Sequence, residues 1–149
     1  MFNSILVLCT GNICRSPYGE AKLKLLLPEL KITSAGVATE KSGLIDKPAD
    51  PLAISVANDF GIDITAHRAK QVTQQLVDEY DLILAMERNQ LDVLCDKIPT
   101  ARSKGFVIGQ WIGLSTIDDP YQKDEHAFRQ AFVNIDKAAE SWARKLGKS

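Results

Sequence analysis

The sequence predicts an α/β fold, a four-stranded parallel sheet with helices on both faces and a phosphate loop between the first strand and the first helix. Three observations carry this prediction. Short apolar runs alternate with helical patterns along the chain, and such alternation implies parallel strands joined by helical crossovers. The run Asp81-Leu82-Ile83-Leu84-Ala85-Met86 is almost uninterruptedly apolar, as in a strand buried on both sides. The first apolar run passes straight into a cysteine, a short loop and the start signals of a helix. The whole chain, 1–149, reads as one domain, because its length suits a single core and no repeat, low-complexity tract or linker interrupts it.

The elements follow in order. Residues 4–8 form the first strand, which ends at Cys9. Ser16 is a good helix N-cap and Pro17 suits a first helical position. A helix from Pro17 carries Ala21, Leu23, Leu25, Leu26 and Leu27 before stopping near Pro28. Lys31 to Ala35 reads as the second strand, followed by a loop from Gly36 to Pro48. A helix starts near Asp50-Pro51 with Ile54, Val56, Ala57 and Phe60 as its apolar face, and Gly61 ends it. Thr73 to Glu79 is a short helix, 81–86 the third strand, Arg88 to Cys95 a helix, and Gly105 to Ile108 the fourth strand. The last helix places Phe128, Ala131, Phe132, Ile135, Ala138, Ala139, Trp142 and Leu146 on one stripe.

The segment Cys9-Thr10-Gly11-Asn12-Ile13-Cys14-Arg15-Ser16 has the chemistry of an anion site with a nucleophile inside it. Gly11 is expected to supply the tight turn that aims successive N–H groups inward. The positive end of the following helix faces the same point. Arg15 adds a planar fork for two phosphoryl oxygens. Cys9, at the centre, is expected to be a thiolate at neutral pH. In a parallel sheet, ligands sit beyond the carboxyl ends of the strands, where Cys9 falls.

A phosphate-transfer reaction also needs an acid for the leaving oxygen. Asp118-Asp119-Pro120-Tyr121 offers one, since proline holds Asp119 extended and fixes the loop's exit. The same tetrapeptide also reads as a turn with solvated aspartates. Net charge is −1 with no long basic or acidic block, so no nucleic-acid partner is expected. The first strand is too short for a secretory signal, and no stretch approaches a membrane span. Three irregularly spaced cysteines favour a reducing, cytoplasmic setting over a disulfide scaffold. No cofactor or metal is expected: of the two histidines, His126 stands beside Asp124 and Glu125 without zinc-like spacing.

On the loop from Cys9 to Ser16 and the late Asp119-Pro120-Tyr121, the chain resembles a low-molecular-weight protein tyrosine phosphatase, from Ile5 to the last helix. The resemblance implies that Cys9 attacks phosphorus, that Arg15 and the loop residues Thr10, Gly11, Asn12, Ile13 and Cys14 hold the phosphoryl group, and that Asp119 is the acid. It implies that Ser16 donates to the Cys9 thiolate, and that Ser34 and His67 brace the loop through Asn12. Ile13 and Tyr121 become the walls against a phenol ring. A reversible Cys9–Cys14 disulfide is also implied, whereas the residues alone leave Cys14 equally readable as inert core. Cys95 reads as core.

Relatives with this loop include arginine phosphatases, which typically carry threonine where this chain has Ile13. They also include arsenate reductases, whose relay of two further distal cysteines is incomplete here, with only Cys95. A non-catalytic phosphopeptide-binding module is the remaining alternative, disfavoured because a binder needs neither nucleophile nor acid. Glu40 stands where the family often has an aromatic or large apolar residue, which leaves Val37, Leu44 or Ile45 to serve. Met1 to Cys9 and Glu29 to Gly36 resemble bacterial members that oppose tyrosine autokinases of polysaccharide export. The implied partner is such a phosphotyrosine protein, and the implied state a monomer or weak dimer.

Overall fold

The computed structural model describes residues 2–147; Met1, which opens one of the stretches quoted above, and the last two residues lie outside it. Strands β1 (Ser4–Cys9), β2 (Lys31–Gly36), β3 (Leu82–Ala85) and β4 (Gly105–Val107) form one parallel sheet in the order β2-β1-β3-β4. The helices are α1 (Arg15–Leu26), α2 (Pro51–Asp59), α3 (Gln74–Glu79), α4 (Arg88–Lys97) and α5 (Glu125–Lys145). β1 is flanked by β2 on one side and β3 on the other, so the strand order reverses beside it. A crevice opens at the carboxyl end of a strand so placed. Cys9 is the last residue of β1 and pairs in register with Gly36.

Successive strand residues face opposite ways. Ile5, Val7, Leu82 and Leu84 pack with Tyr18 and Leu23 of α1, Val56 of α2 and Phe128, Phe132 and Ile135 of α5. Leu6, Leu8, Ile83 and Ala85 pack with Val77 of α3 and Leu91, Leu94 and Cys95 of α4. Helices therefore cover both faces, which is why β3 is apolar throughout. Each buried aliphatic side chain contributes about 1.5–3 kcal/mol. Capping fixes the helix starts: Asp50 accepts from Leu52 N–H, Thr73 from Leu76 N–H and Asp124 from Ala127 N–H.

Three local expectations are corrected. α1 begins at Arg15, two residues before Pro17, with Cys14 at the N-cap position; the Ser16 hydroxyl is engaged by Cys9 and Asn12 instead of capping. Leu25 is 66% exposed, and the core contacts of α1 come instead from Tyr18 and Leu23, Tyr18 stacking on Phe132 of α5 at 4.0 Å between centroids. The run at 105–108 splits after Val107, where Ile108–Ile112 form a 3₁₀ turn. The Ile108 carbonyl accepts from Trp142 Nε1 of α5 at 2.8 Å, outside the sheet ladder.

Gly36 shows what brings β2 to the site. A Cβ there would overlap the Thr39 hydroxyl and lie 2.5 Å from the Thr10 carbonyl oxygen. Backbone crowds it because Ala38 N–H donates to Thr10 O at 2.9 Å and Val37 N–H to Cys9 O at 3.0 Å. Gly36→Ala is expected to destabilise the protein by about 1–3 kcal/mol, as overpacking does. A thermal melt checks this, and an unchanged melting temperature would contradict it.

Candidate active site

The segment between β1 and α1 curls around the Cys9 sulfur. The left-handed turn lies at Asn12, with φ 64°, and not at Gly11. Asparagine tolerates this conformation better than most side chains, at a cost of about 1–2 kcal/mol. Four hydrogen bonds hold it there. Asn12 Nδ2 donates to Ser16 Oγ (2.8 Å) and Ser34 Oγ (3.0 Å), while its Oδ1 accepts from Lys70 N–H (2.9 Å). Its carbonyl accepts from His67 Nε2 at 2.6 Å. A carbonyl can only accept, so Nε2 carries the hydrogen. Burial lowers the His67 pKa, opposed by this bond, and the neutral imidazole with hydrogen on Nε2 meets the need.

The hydroxyls pass this order on. Ser34 accepts from Asn12 and donates to Glu20 Oε1 at 2.6 Å. Ser16 likewise accepts from Asn12, which leaves its own hydrogen for Cys9 Sγ at 2.8 Å. Asn12 N–H also reaches Sγ, at 3.3 Å. The sulfur thus accepts two hydrogen bonds, from the Ser16 hydroxyl and Asn12 N–H. Cys14 lies nearby: burial first, then Asp50, Cys9 and Asp119, push its thiol pKa upward, so it keeps its proton.

Arg15 is 1% exposed, and a guanidinium so buried requires partners. Its Nη1 donates to Glu87 Oε2 at 2.5 Å and to the Ile117 carbonyl at 2.6 Å. Its Nη2 lies 3.6 Å from Asp119 Oδ2. Glu87 escaped the sequence reading. The only signal for it was a carboxylate directly after a buried strand, at the sheet end that carries the site.

Cys9 and Arg15 line a cleft of about 130 Å³ whose walls include Ile13, Leu44 and Tyr121, with Asp119 at its edge. Thr10, Gly11, Cys14 and Ser42 also reach it, whereas Ser34 and His67 act behind the loop. Asp119 Oδ1 accepts from Tyr121 N–H at 3.1 Å, and its side chain is 45% exposed. Asp118 does not line this cleft; it lines a neighbouring cavity with Lys123 and His126, to which Asp119 also contributes. Of Val37, Leu44 and Ile45, Leu44 lines the cleft, and Glu40 does not. Thr39 Oγ1 donates to Gly11 O and Leu44 N–H to Thr39 O, folding the 36–48 loop back over the cleft. Among the described residues, no cluster of three His, Cys, Asp or Glu side chains could hold a metal ion, and no helix is long and apolar enough to cross a membrane.

A strand-end thiol in a loop that leads into a helix N-terminus, beside a buried arginine and an aspartate, is the arrangement of the cysteine-dependent phosphatases as a class. Within that class the chain belongs to the low molecular weight phosphotyrosine protein phosphatase family, whose model matches residues 4–149. Its fold is close to that of Vibrio vulnificus Wzb in complex with benzylphosphonate, with a TM-score of 0.95, 50% identity and coverage of 97% of this chain and 99% of that one. The tyrosine phosphatase Wzb from Escherichia coli K30 in complex with sulphate gives a TM-score of 0.94 at 44% identity, covering 99% of this chain and 100% of that one. The low molecular weight protein-tyrosine-phosphatase Etp of Escherichia coli strain K12 is 42% identical over 147 residues, which span 99% of this chain and 97% of Etp.

Proposed function

We propose that this protein hydrolyses phosphotyrosine in proteins through a phosphocysteine intermediate. The observation that carries the reading is the Cys9 sulfur, held by two donors at the base of a cleft shared with Arg15 and Asp119. The Cys9 thiolate attacks phosphorus in line, forming the S–P bond as the P–O bond to tyrosine breaks. Asp119 gives its proton to the departing phenolic oxygen. Arg15 and the loop amides hold the equatorial oxygens, where charge must be stabilised. Water then attacks phosphorus and yields a proton to the Asp119 carboxylate, while the Ser16 hydroxyl supports the departing thiolate. Glu87 and Ile117 keep the guanidinium aimed, while Ser34 and His67 keep Asn12 in place.

The cleft suits an aryl phosphate. Ile13, Leu44 and Tyr121 provide apolar walls, and a flat ring gains from such contacts as an alkyl phosphate does not. Benzylphosphonate, which Vibrio vulnificus Wzb binds, has this aryl-and-phosphoryl shape. The physiological substrate in this reading is a bacterial tyrosine autokinase of exopolysaccharide or capsule export, met in the cytoplasm by a monomer or weak dimer.

Purified reduced protein is offered phosphotyrosine peptide, phosphoarginine and phosphoserine peptide. Preference for phosphotyrosine is expected; preference for phosphoarginine would overturn the substrate while keeping the nucleophile. Ile13 is the residue to test as selector. Ile13→Thr is expected to raise the ratio of kcat/KM for phosphoarginine over phosphotyrosine about tenfold, the scale of a lost apolar wall contact. An unchanged ratio would remove Ile13 from that role.

A further inference from the structure

Gln90 is 1% exposed and stands in the first turn of α4, outside the cleft. Its Oε1 accepts from both Met86 N–H and Glu87 N–H, each at 3.0 Å, and its Nε2 donates to Thr10 Oγ1 at 3.3 Å. We propose that Gln90 is a positioning residue for the phosphatase reaction: it ties the turn that carries Glu87 to Thr10, the residue next to the nucleophile, and so sets Arg15 against Cys9. The inference rests on the function proposed above.

The turn at 86–87 is the junction through which this works. The Glu87 carboxylate takes one side of the Arg15 guanidinium. Met86 O accepts from Ile117 N–H at 2.9 Å, and Glu87 forms an antiparallel bridge with Thr116. Ile117 returns its own carbonyl to Arg15 and stands two residues before Asp119. Nucleophile loop, phosphate fork and the root of the acid loop therefore converge on two residues, and the Gln90 carboxamide is bonded to both of them and to Thr10.

The chemistry suits glutamine. Its carboxamide satisfies Glu87 N–H, shares Met86 N–H with the Leu8 carbonyl and reaches one hydroxyl, without bringing charge beside Arg15. A glutamate would place an anion there, and an apolar side chain would take the Oε1 acceptor from Glu87 N–H, while Met86 N–H would keep the Leu8 carbonyl at 3.0 Å. Capping α4 requires only Oε1; the Nε2 bond to Thr10 extends beyond the cap, and it separates a positioning role from a structural one.

The test compares Gln90→Met, Thr10→Val and Thr10→Ser, alone and combined, reading kcat on a phosphotyrosine peptide and the inhibition constant of inorganic phosphate. Thr10→Val leaves the α4 cap untouched and removes only the partner hydroxyl; Thr10→Ser keeps it. Gln90→Met is expected to lower kcat about tenfold and to weaken phosphate binding several-fold, as misplaced transfer groups do. Thr10→Val should lose part of this, Thr10→Ser should recover it, and neither should matter once Gln90 is methionine. Additive losses, or equal behaviour of Thr10→Val and Thr10→Ser, would overturn the proposal. If Gln90→Met does not fold, the valine–serine comparison decides alone. A wild-type enzyme inactive on phosphotyrosine would overturn the functional reading and this proposal together, whereas an active one insensitive to all three changes overturns the proposal only.

Discussion

Cys9→Ser will lower phosphotyrosine hydrolysis by roughly 10⁴-fold or more, because the attacking atom and the leaving group of the second step are the same sulfur. Serine keeps the shape: Ser16 Oγ and Asn12 N–H still find an oxygen near where Sγ stands. What it loses is the sulfur's nucleophilicity and its ability to depart in the second step, for which a serine oxygen is a poor substitute. The residue is 3% exposed and differs by one atom, so stability should change by no more than about 1 kcal/mol. Inorganic phosphate should still bind, because Arg15 and the loop remain. A thermal melt and phosphate binding together separate a lost nucleophile from a lost fold. Activity persisting above a hundredth of wild type in a folded, phosphate-binding variant would remove Cys9 from the role.

The loop around Cys9 was legible because its signals are local. An apolar strand, a cysteine, a glycine and a helix start occupy a dozen consecutive residues, and their order defines a strand–loop–helix anion site. Local propensity also misled within the same stretch. Glycine is the usual carrier of positive φ, yet Asn12 takes that position, since its side chain can bond Ser16, Ser34 and Lys70 N–H at once. Ser16 has the propensity of an N-cap, but its hydroxyl is spent on the sulfur.

Residues that act across sequence distance were not legible. Glu87 lies 72 residues from the Arg15 it holds, and Gln90 lies 80 from Thr10. Neither has a local pattern beyond the start of a helix. Leu44 takes its wall position through the fold of the 36–48 loop over Gly11, which counting from Ser34 to Glu40 does not reveal. The sheet suffered less from this, because burial on both faces imposes a composition that each strand must show by itself.

Asp119→Asn separates an acid from a bystander. If Asp119 protonates the leaving oxygen, kcat/KM for a phosphotyrosine peptide should fall by about 10²–10³-fold, the usual range for a lost general acid. For an aryl phosphate whose phenol departs readily as an anion, such as dinitrophenyl phosphate, the fall should be several-fold at most. kcat/KM is the quantity to compare, because it reports steps through phosphocysteine formation and excludes hydrolysis, in which the same carboxylate serves as base. Asparagine cannot take the proton from water, so the phosphocysteine should accumulate, visible as a burst of phenol with the good leaving group. Asp118→Asn, facing the other cavity, should change kcat/KM by less than about threefold, as surface changes away from the chemistry do. The carboxylate of Asp119 also lies 3.6 Å from Arg15 Nη2, so its loss could act by misaiming the guanidinium. That effect would weaken all leaving groups alike, since phosphoryl oxygens are held the same way whatever departs. A uniform loss across the series would therefore assign Asp119 to orienting Arg15, and a loss that grows with leaving-group basicity assigns it the proton.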